Sequence, residues 1–160
     1  MNIFILSMNP YLCAIFHCDK HVVKMILETA QMLCTCHHLC SNNNINKPLY
    51  KQAFQNHPCT IWARETTSNY CWLYMLFCNL CKEYTYRYNK VHMCEKKLID
   101  VLNYIPSNIQ EGNITKFAQA MPDDVKNNNS VIAYRNYYIK YKKDFCKWTK
   151  RDIPNWFSNR

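Results

Sequence analysis

The chain has 160 residues, 49% of them hydrophobic and 14% aromatic, enough apolar side chain for one sizeable core and too much for a chain disordered by composition. A single glycine, Gly112, excludes a dinucleotide-binding glycine fingerprint, a P-loop and a glycine-nested oxyanion loop, since each needs several residues without a Cβ. Lys and Arg total 20 against 11 Asp and Glu, a formal +9 that favours a polyanionic partner, nucleic acid before membrane.

In chain order, residues 2–7 (NIFILS) suggest a short buried strand or an extended arm, closed by Asn9-Pro10. Helical spacing then runs unbroken over residues 11–39. Polar loops follow at residues 41–44 and 46–48, and Asn56-His57-Pro58 is a further turn. Thr60 can cap a long helix reaching roughly Tyr88, and a weaker helix covers residues 92–102. Residues 103–130, with Pro106, Gly112 and Pro122, form an irregular connector. Ser130 caps a last helix over residues 131–148, before a tail at residues 152–157. The expected class is mostly α: one domain, residues 1–160, a compact bundle of about four helices with an extended N-terminal arm.

The eleven cysteines are odd in number, and Cys34, Cys71, Cys78 and Cys81 sit in apolar runs where a thiol acts as a small hydrophobe. They read as free thiols of a reducing compartment. The first residues lack a basic region and turn polar after about six positions, so no signal peptide is expected. The longest apolar stretch, residues 70–81, contains Asn79 and falls short of the roughly 20 residues that span a bilayer, so no membrane association is expected.

Polar residues line up along otherwise apolar helices. His17, His21, Lys24, Glu28 and Gln31 are spaced 4, 3, 4 and 3, which places them on one face among Val22, Met25, Ile26 and Leu33. Glu65, Asn69, Asn79, Glu83 and Arg87 fall in one sector of the second long helix. Such seams either face a shared pocket, or lie in solvent, or satisfy one another as interhelical hydrogen-bond networks. Near the C-terminus, Arg135, Lys140, Lys142, Lys143 and Lys147 alternate with Tyr134, Tyr137, Tyr138 and Tyr141, a mixture suited to phosphate contact and base stacking. An amphipathic helix with inward tyrosines has the same composition. His17 and His21, one turn apart, could clasp an ion, but the cysteine groups at 34–40 and 78–81 lie on expected helices rather than knuckle turns, so no metal or other cofactor is assigned.

Several blocks resemble a known family. His17-Cys-Asp-Lys-His21 running on to Glu28, Asn56-His57-Pro58 followed by Ile61-Trp62-Ala63-Arg64, Ala120-Met121-Pro122-Asp123, and Ala133 through Tyr138 together resemble a protein family of phages and large DNA viruses. The first helix is also similar to the pyrimidine-dimer DNA glycosylases of the phage endonuclease V type. There a D-x-H sequence is followed seven residues later by a catalytic glutamate, and Asp19-Lys20-His21 with Glu28 has that spacing. Leu27 and Gln31 stand where that family carries arginines. The resemblance implies a compact all-α protein whose N-terminal α-amine attacks sugar C1′, forms a Schiff base and nicks the strand by β-elimination. An α-amine suits the task, because a pKa of about 7.7 to 8.0 leaves free base near neutrality.

These readings give a viral DNA-repair glycosylase with AP-lyase activity, acting as a monomer on double-stranded DNA in the reducing host cytoplasm at the site of viral replication. Its nucleophile is the amine of Met1, or of Asn2 after processing. Glu28 is the acid/base group, and His21 and His17 orient it or contact phosphate. Lys24, His57, Arg64, Arg87, Tyr134, Arg135, Lys142 and Lys143 are the expected nucleic-acid contacts. Two alternatives stay open: a non-catalytic nucleic-acid-binding protein of viral replication, and a metal-dependent nucleotide or nucleic-acid hydrolase using His17 and His21.

Overall fold

A buried extended segment must find partners for its backbone polar groups, and the N-terminal arm finds them on side chains instead of in a sheet. The computed structural model describes residues 1–42 and 49–158, and there Ile3, Phe4, Ile5 and Leu6 are buried. The Asn2 amide donates to Glu28 Oε2 at 2.8 Å, the Cys13 thiol donates to the Phe4 carbonyl at 3.2 Å, and the Arg135 guanidinium donates twice to the Leu6 carbonyl at 2.9 and 3.1 Å. Trp72 Nε1 completes the set on the Met8 carbonyl at 2.8 Å. Burying each large aliphatic side chain of the arm contributes about 1.5–3 kcal/mol, so the arm is anchored to the core. No strand occurs among the described residues, and the extended-arm reading holds.

The class is mostly α, with seven α-helices among the described residues where about four are expected: α1 (Pro10–Phe16), α2 (Asp19–Cys40), α3 (Pro58–Ala63), α4 (Thr67–Tyr88), α5 (Met93–Leu102), α6 (Ser130–Tyr141) and α7 (Asn155–Ser158). Asn9 caps α1 by accepting from the amides of Tyr11 and Leu12, and Pro10 sits at its first position, where no donor is needed. The helix expected over residues 11–39 breaks at His17 and Cys18, which are extended. The break is held from outside: the Asp19 amide donates to the Lys147 carbonyl at 2.8 Å, and the Asp19 carboxylate accepts from the Thr149 amide and hydroxyl.

A second break divides the helix expected from Thr60. The ring of His57 caps α3, and Thr66, not Thr60, caps α4 by accepting from the Asn69 amide at 3.2 Å. The last long helix stops at Tyr141, short of residue 148, because the following residues are drawn onto the start of α2 through Lys147 and Thr149. Of the polar loops expected near residue 45, residues 43–48 lie outside the described residues.

Helices α1 and α2 both pack on α4, and the core lies between them, with Trp62, Tyr70, Phe77, Met25, Ile26 and Leu33 fully buried. In the polar sector of α4, Glu83, Arg87 and Asn69 are tied into ion pairs and hydrogen bonds within the protein. Glu83 and Arg87, 4% and 2% exposed, pair with each other at 2.7 Å; Arg87 also bonds Asp19 at 2.8 Å, and Arg151 reaches Glu83 at 2.9 Å. Asn69 is held by the Trp62 carbonyl and Thr115. This seam is an interhelical network, the alternative its sequence left open. Among the described residues no helix is long and apolar enough to cross a membrane.

Candidate active site

The arm delivers the N-terminus to the middle of α2. The Met1 nitrogen lies 3.9 Å from Glu28 Oε2, the same oxygen that accepts the Asn2 amide at 2.8 Å. Lys24, one turn earlier on α2, places its ammonium 3.5 Å from Glu28 Oε1. Residue 2 is fixed on every side. Its Nδ2 donates to the Ala120 carbonyl at 2.8 Å, and its Oδ1 accepts the Ile3 amide at 2.8 Å, with the Tyr134 hydroxyl 3.0 Å away. The Met1 side chain is 1% exposed, and its sulfur accepts from the Thr60 hydroxyl at 3.5 Å.

These groups border a cavity of about 250 Å³. Met1, Asn2 and Phe4 come from the arm; His21, Lys24, Met25 and Glu28 from α2; His57 from the cap of α3; Ala120 from the connector; Tyr137 from α6 and Lys142 just beyond it. Two lysines and the terminal amine surround one carboxylate, so the recess attracts anions while keeping one acid/base group inside it. Lys142 lies 4.8 Å from the centre of the Tyr137 ring, within cation–π range.

The two histidines of the wall are held differently. His57 Nδ1 accepts the Cys59 amide at 3.2 Å, which leaves Nε2 to carry the proton of the neutral ring. Burial, aided by the nearby N-terminal charge and opposed by Glu28, holds its pKa below the usual histidine value. His21 stacks on Phe4, centroids 4.3 Å apart, and its Nδ1 bonds the buried Tyr138 hydroxyl.

Of the residues expected at the site, Met1, Asn2, His21, Lys24, Glu28, His57 and Lys142 converge on the cavity. His17 does not: it is sealed behind Phe4 and Tyr138, donating from Nδ1 to the Cys13 carbonyl at 2.7 Å. His17 and His21 therefore do not clasp one ion, and no three His, Cys, Asp or Glu side chains form a metal-holding group among the described residues. Lys143 is exposed near the mouth residue Lys142.

Two of the expected nucleic-acid contacts, Arg87 and Tyr134, are corrected, and the half-buried Arg135 and Arg64 also make contacts within the protein. Arg87 is buried in the ion-pair network, and Tyr134 is fully buried as the hydroxyl that braces Asn2, so neither offers a surface to DNA. Arg135 is spent on the Leu6 carbonyl and lies over the Trp156 ring at 5.1 Å, and Arg64 donates to the Gln55 carbonyl at 2.8 Å. Asp19, the acidic member of the D-x-H sequence, pins Thr149 and Arg87 instead of facing the cavity. Sequence reasoning missed Phe4, Met25, Ala120 and Tyr137 as wall residues. Two of them lie in the blocks Ala120–Asp123 and Ala133–Tyr138, whose roles are now apparent: one supplies the carbonyl that holds Asn2, the other the aromatic wall.

An all-α protein that threads its N-terminus against a helix-borne carboxylate in a cationic recess defines a class built for an anionic substrate. The family model described as pyrimidine dimer DNA glycosylase matches residues 1–96, more than half of the chain, and the chain belongs to that family. Membership carries a DNA-repair function of the glycosylase type and a DNA substrate. No curated protein and no solved structure matches the chain. The matched segment ends within α5, so Ala120, Tyr137 and Lys142 come from outside it.

Proposed function

We propose that the chain excises a damaged pyrimidine from double-stranded DNA and cuts the strand as an AP lyase, with the terminal α-amine as nucleophile and Glu28 as acid/base group. The observation that carries this reading is the shared oxygen: Glu28 Oε2 stands 3.9 Å from the Met1 nitrogen and 2.8 Å from the Asn2 nitrogen. With Met1 retained the first distance applies to the amine; with Met1 removed, the second does. Either way a primary amine meets the carboxylate.

The amine adds to sugar C1′ as the bond to the base breaks, and the base leaves with the bonding electrons and takes up a proton. Glu28 accepts a proton from the added nitrogen and passes it to O4′ as the ring opens, which yields the imine. The carboxylate then removes a proton from C2′, the 3′ phosphate departs, and water hydrolyses the imine to free the amine. His21, fixed by Tyr138 and Phe4, orients the wall beside Glu28. Lys24, Lys142 and Lys143 meet phosphates flanking the extruded nucleotide. His17 supports His21 from behind, while Arg64 and Arg135 brace the backbone around the recess. Eleven free cysteines suit the reducing cytoplasm of a virus-infected host.

The test is Glu28→Gln on duplexes carrying an abasic site or a cyclobutane dimer. Nicking should fall by about 10²- to 10⁴-fold, the usual contribution of a positioned acid/base group, with duplex affinity retained. Undiminished nicking would overturn the assignment.

A further inference from the structure

No step of the proposed reaction uses His57, although it borders the same cavity as Met1, Asn2 and Glu28. The turn it opens packs on the N-terminus. Two residues later the Cys59 thiol donates to Asn2 Oδ1 at 3.6 Å, and the Thr60 hydroxyl donates to the Met1 sulfur at 3.5 Å. The His57 backbone is pinned as well. Its amide donates to the Phe54 carbonyl at 3.0 Å, and its carbonyl accepts the amides of Thr60 and Ile61, each at 2.9 Å. The half-buried ring is therefore fixed relative to the terminus.

Its tautomer is fixed too. Nδ1 accepts the Cys59 amide at 3.2 Å, so a proton there would break the cap of α3. Burial first, then the N-terminal charge, lower the pKa against the pull of Glu28. At neutral pH the imidazole is uncharged, and Nε2 carries its proton as a hydrogen-bond donor. A neutral ring would surrender that proton only as imidazolate, so it acts as a donor and not as an acid. In the glycosylase reading, on which this inference rests, the amine bonds to sugar C1′ and the electrons of the C1′–O4′ bond pass to O4′. That oxygen is one bond from C1′ and gains negative charge in the step, within the wall that His57 shares with the amine.

We propose that His57 Nε2–H donates a hydrogen bond to O4′ of the sugar attacked by the amine, a bond that strengthens as the ring opens. His57 is then a further catalytic residue. It stabilises the oxygen to which Glu28 delivers a proton, and its own proton stays on Nε2.

The experiment compares full-length wild type, His57→Asn and His57→Gln. Asparagine is a strong helix cap whose Oδ1 takes the place of Nδ1, so His57→Asn keeps the Cys59 bond and removes the donor. Glutamine restores a donor near the place of Nε2 and gives up the cap. The first assay is affinity for duplexes carrying a tetrahydrofuran abasic analogue or its cyclopentane counterpart, which differ only in O4′ against CH2. Wild type should favour the tetrahydrofuran duplex by about fivefold to tenfold, the usual contribution of one hydrogen bond. That preference should vanish in His57→Asn and return in His57→Gln. The second assay is nicking of a cyclobutane-dimer duplex. His57→Asn should lower kcat by about 10²- to 10³-fold with KM within about twofold, the cost of one lost donor to a developing oxyanion. His57→Gln should exceed His57→Asn by about tenfold or more. A tetrahydrofuran preference no larger in wild type than in His57→Asn, or nicking by His57→Asn at the wild-type rate, overturns the proposal. If wild type nicks nothing while the affinity pattern holds, the amine chemistry falls and the donor stands. If wild type nicks the dimer while its preference matches that of His57→Asn, the donor falls and the chemistry stands.

Discussion

His17 buries its imidazole completely among the rings of Phe4, His21 and Tyr138. Its Nδ1 proton goes to the Cys13 carbonyl at 2.7 Å, and Nε2 has no hydrogen-bond partner among the described residues. Protonating Nε2 would leave a cation without water or counterion. Burial, opposed by the Cys13 carbonyl and reinforced by His21 and Arg87, pushes the pKa from 6.5 down to about 3. The unfolded chain therefore binds this proton near pH 6.5 and the folded chain only near pH 3. Between those values the unfolded state holds more protons, so stability is intact above the upper value and is lost as pH falls through the window. Lowering the pH from about 7 to about 5 costs about 2 kcal/mol from this residue alone, and each further unit about 1.4 kcal/mol until the lower pKa is reached.

Other groups also titrate in acid, so the informative quantity is a difference between two proteins. His17→Asn keeps a donor toward the Cys13 carbonyl, because asparagine Nδ2 takes the place of histidine Nδ1, and it cannot titrate. Urea melts of both proteins at the two pH values yield four stabilities. Wild type should lose about 2 kcal/mol more than His17→Asn on acidification. Equal losses would refute the buried neutral imidazole.

Removing the guanidinium in Arg87→Met leaves Glu83 and Asp19 without their shared cation, and breaking a buried pair costs about 3–5 kcal/mol. Calorimetry should show the melting temperature lowered by roughly 6–20 °C at this chain length; a shift within 2 °C of wild type, about the effect of half a kcal/mol, would mean the network contributes little. Lys24→Ala and Lys142→Ala should each weaken DNA binding and shallow the log K against log [salt] slope by about 0.9. Identical slopes would remove that lysine from the phosphate contacts. Strand nicking should persist in excess EDTA, because every step of the proposed reaction uses an amine and a carboxylate; abolition reversed by added metal would revive the hydrolase alternative.

The helices, their mostly apolar faces and the Glu28–His21–Lys24 cluster were legible because they depend on spacing within one helix. The breaks at His17 and Arg64 were not. They are stabilised by residues far along the chain, Lys147 and Thr149 for the first and Gln110 and Asn113 for the second, and no local periodicity carries that information. The same limit applied to Arg87. A cation in a polar helical sector looks alike whether it meets phosphate or a carboxylate, and here Asp19 and Glu83 decide the matter. Tyr134 misled in the same direction: among lysines it reads as a surface ring, yet its hydroxyl has a partner in Asn2, over a hundred residues earlier, and the ring is buried. Asn2 itself was chosen only for its place at the terminus. Its amide side chain, bound to Ala120 and Ile3, is what holds the terminus against Glu28.

The most direct test of the central claim is the location of the covalent bond. Wild type mixed with abasic duplex should be reduced with borohydride, digested, and the adducted peptide sequenced by mass spectrometry. The account predicts a sugar remnant on the α-nitrogen of the first residue, Met1 or a processed Asn2, and none on Lys24 or Lys142. Modification of a lysine ε-amine, or no adduct at all, would contradict it.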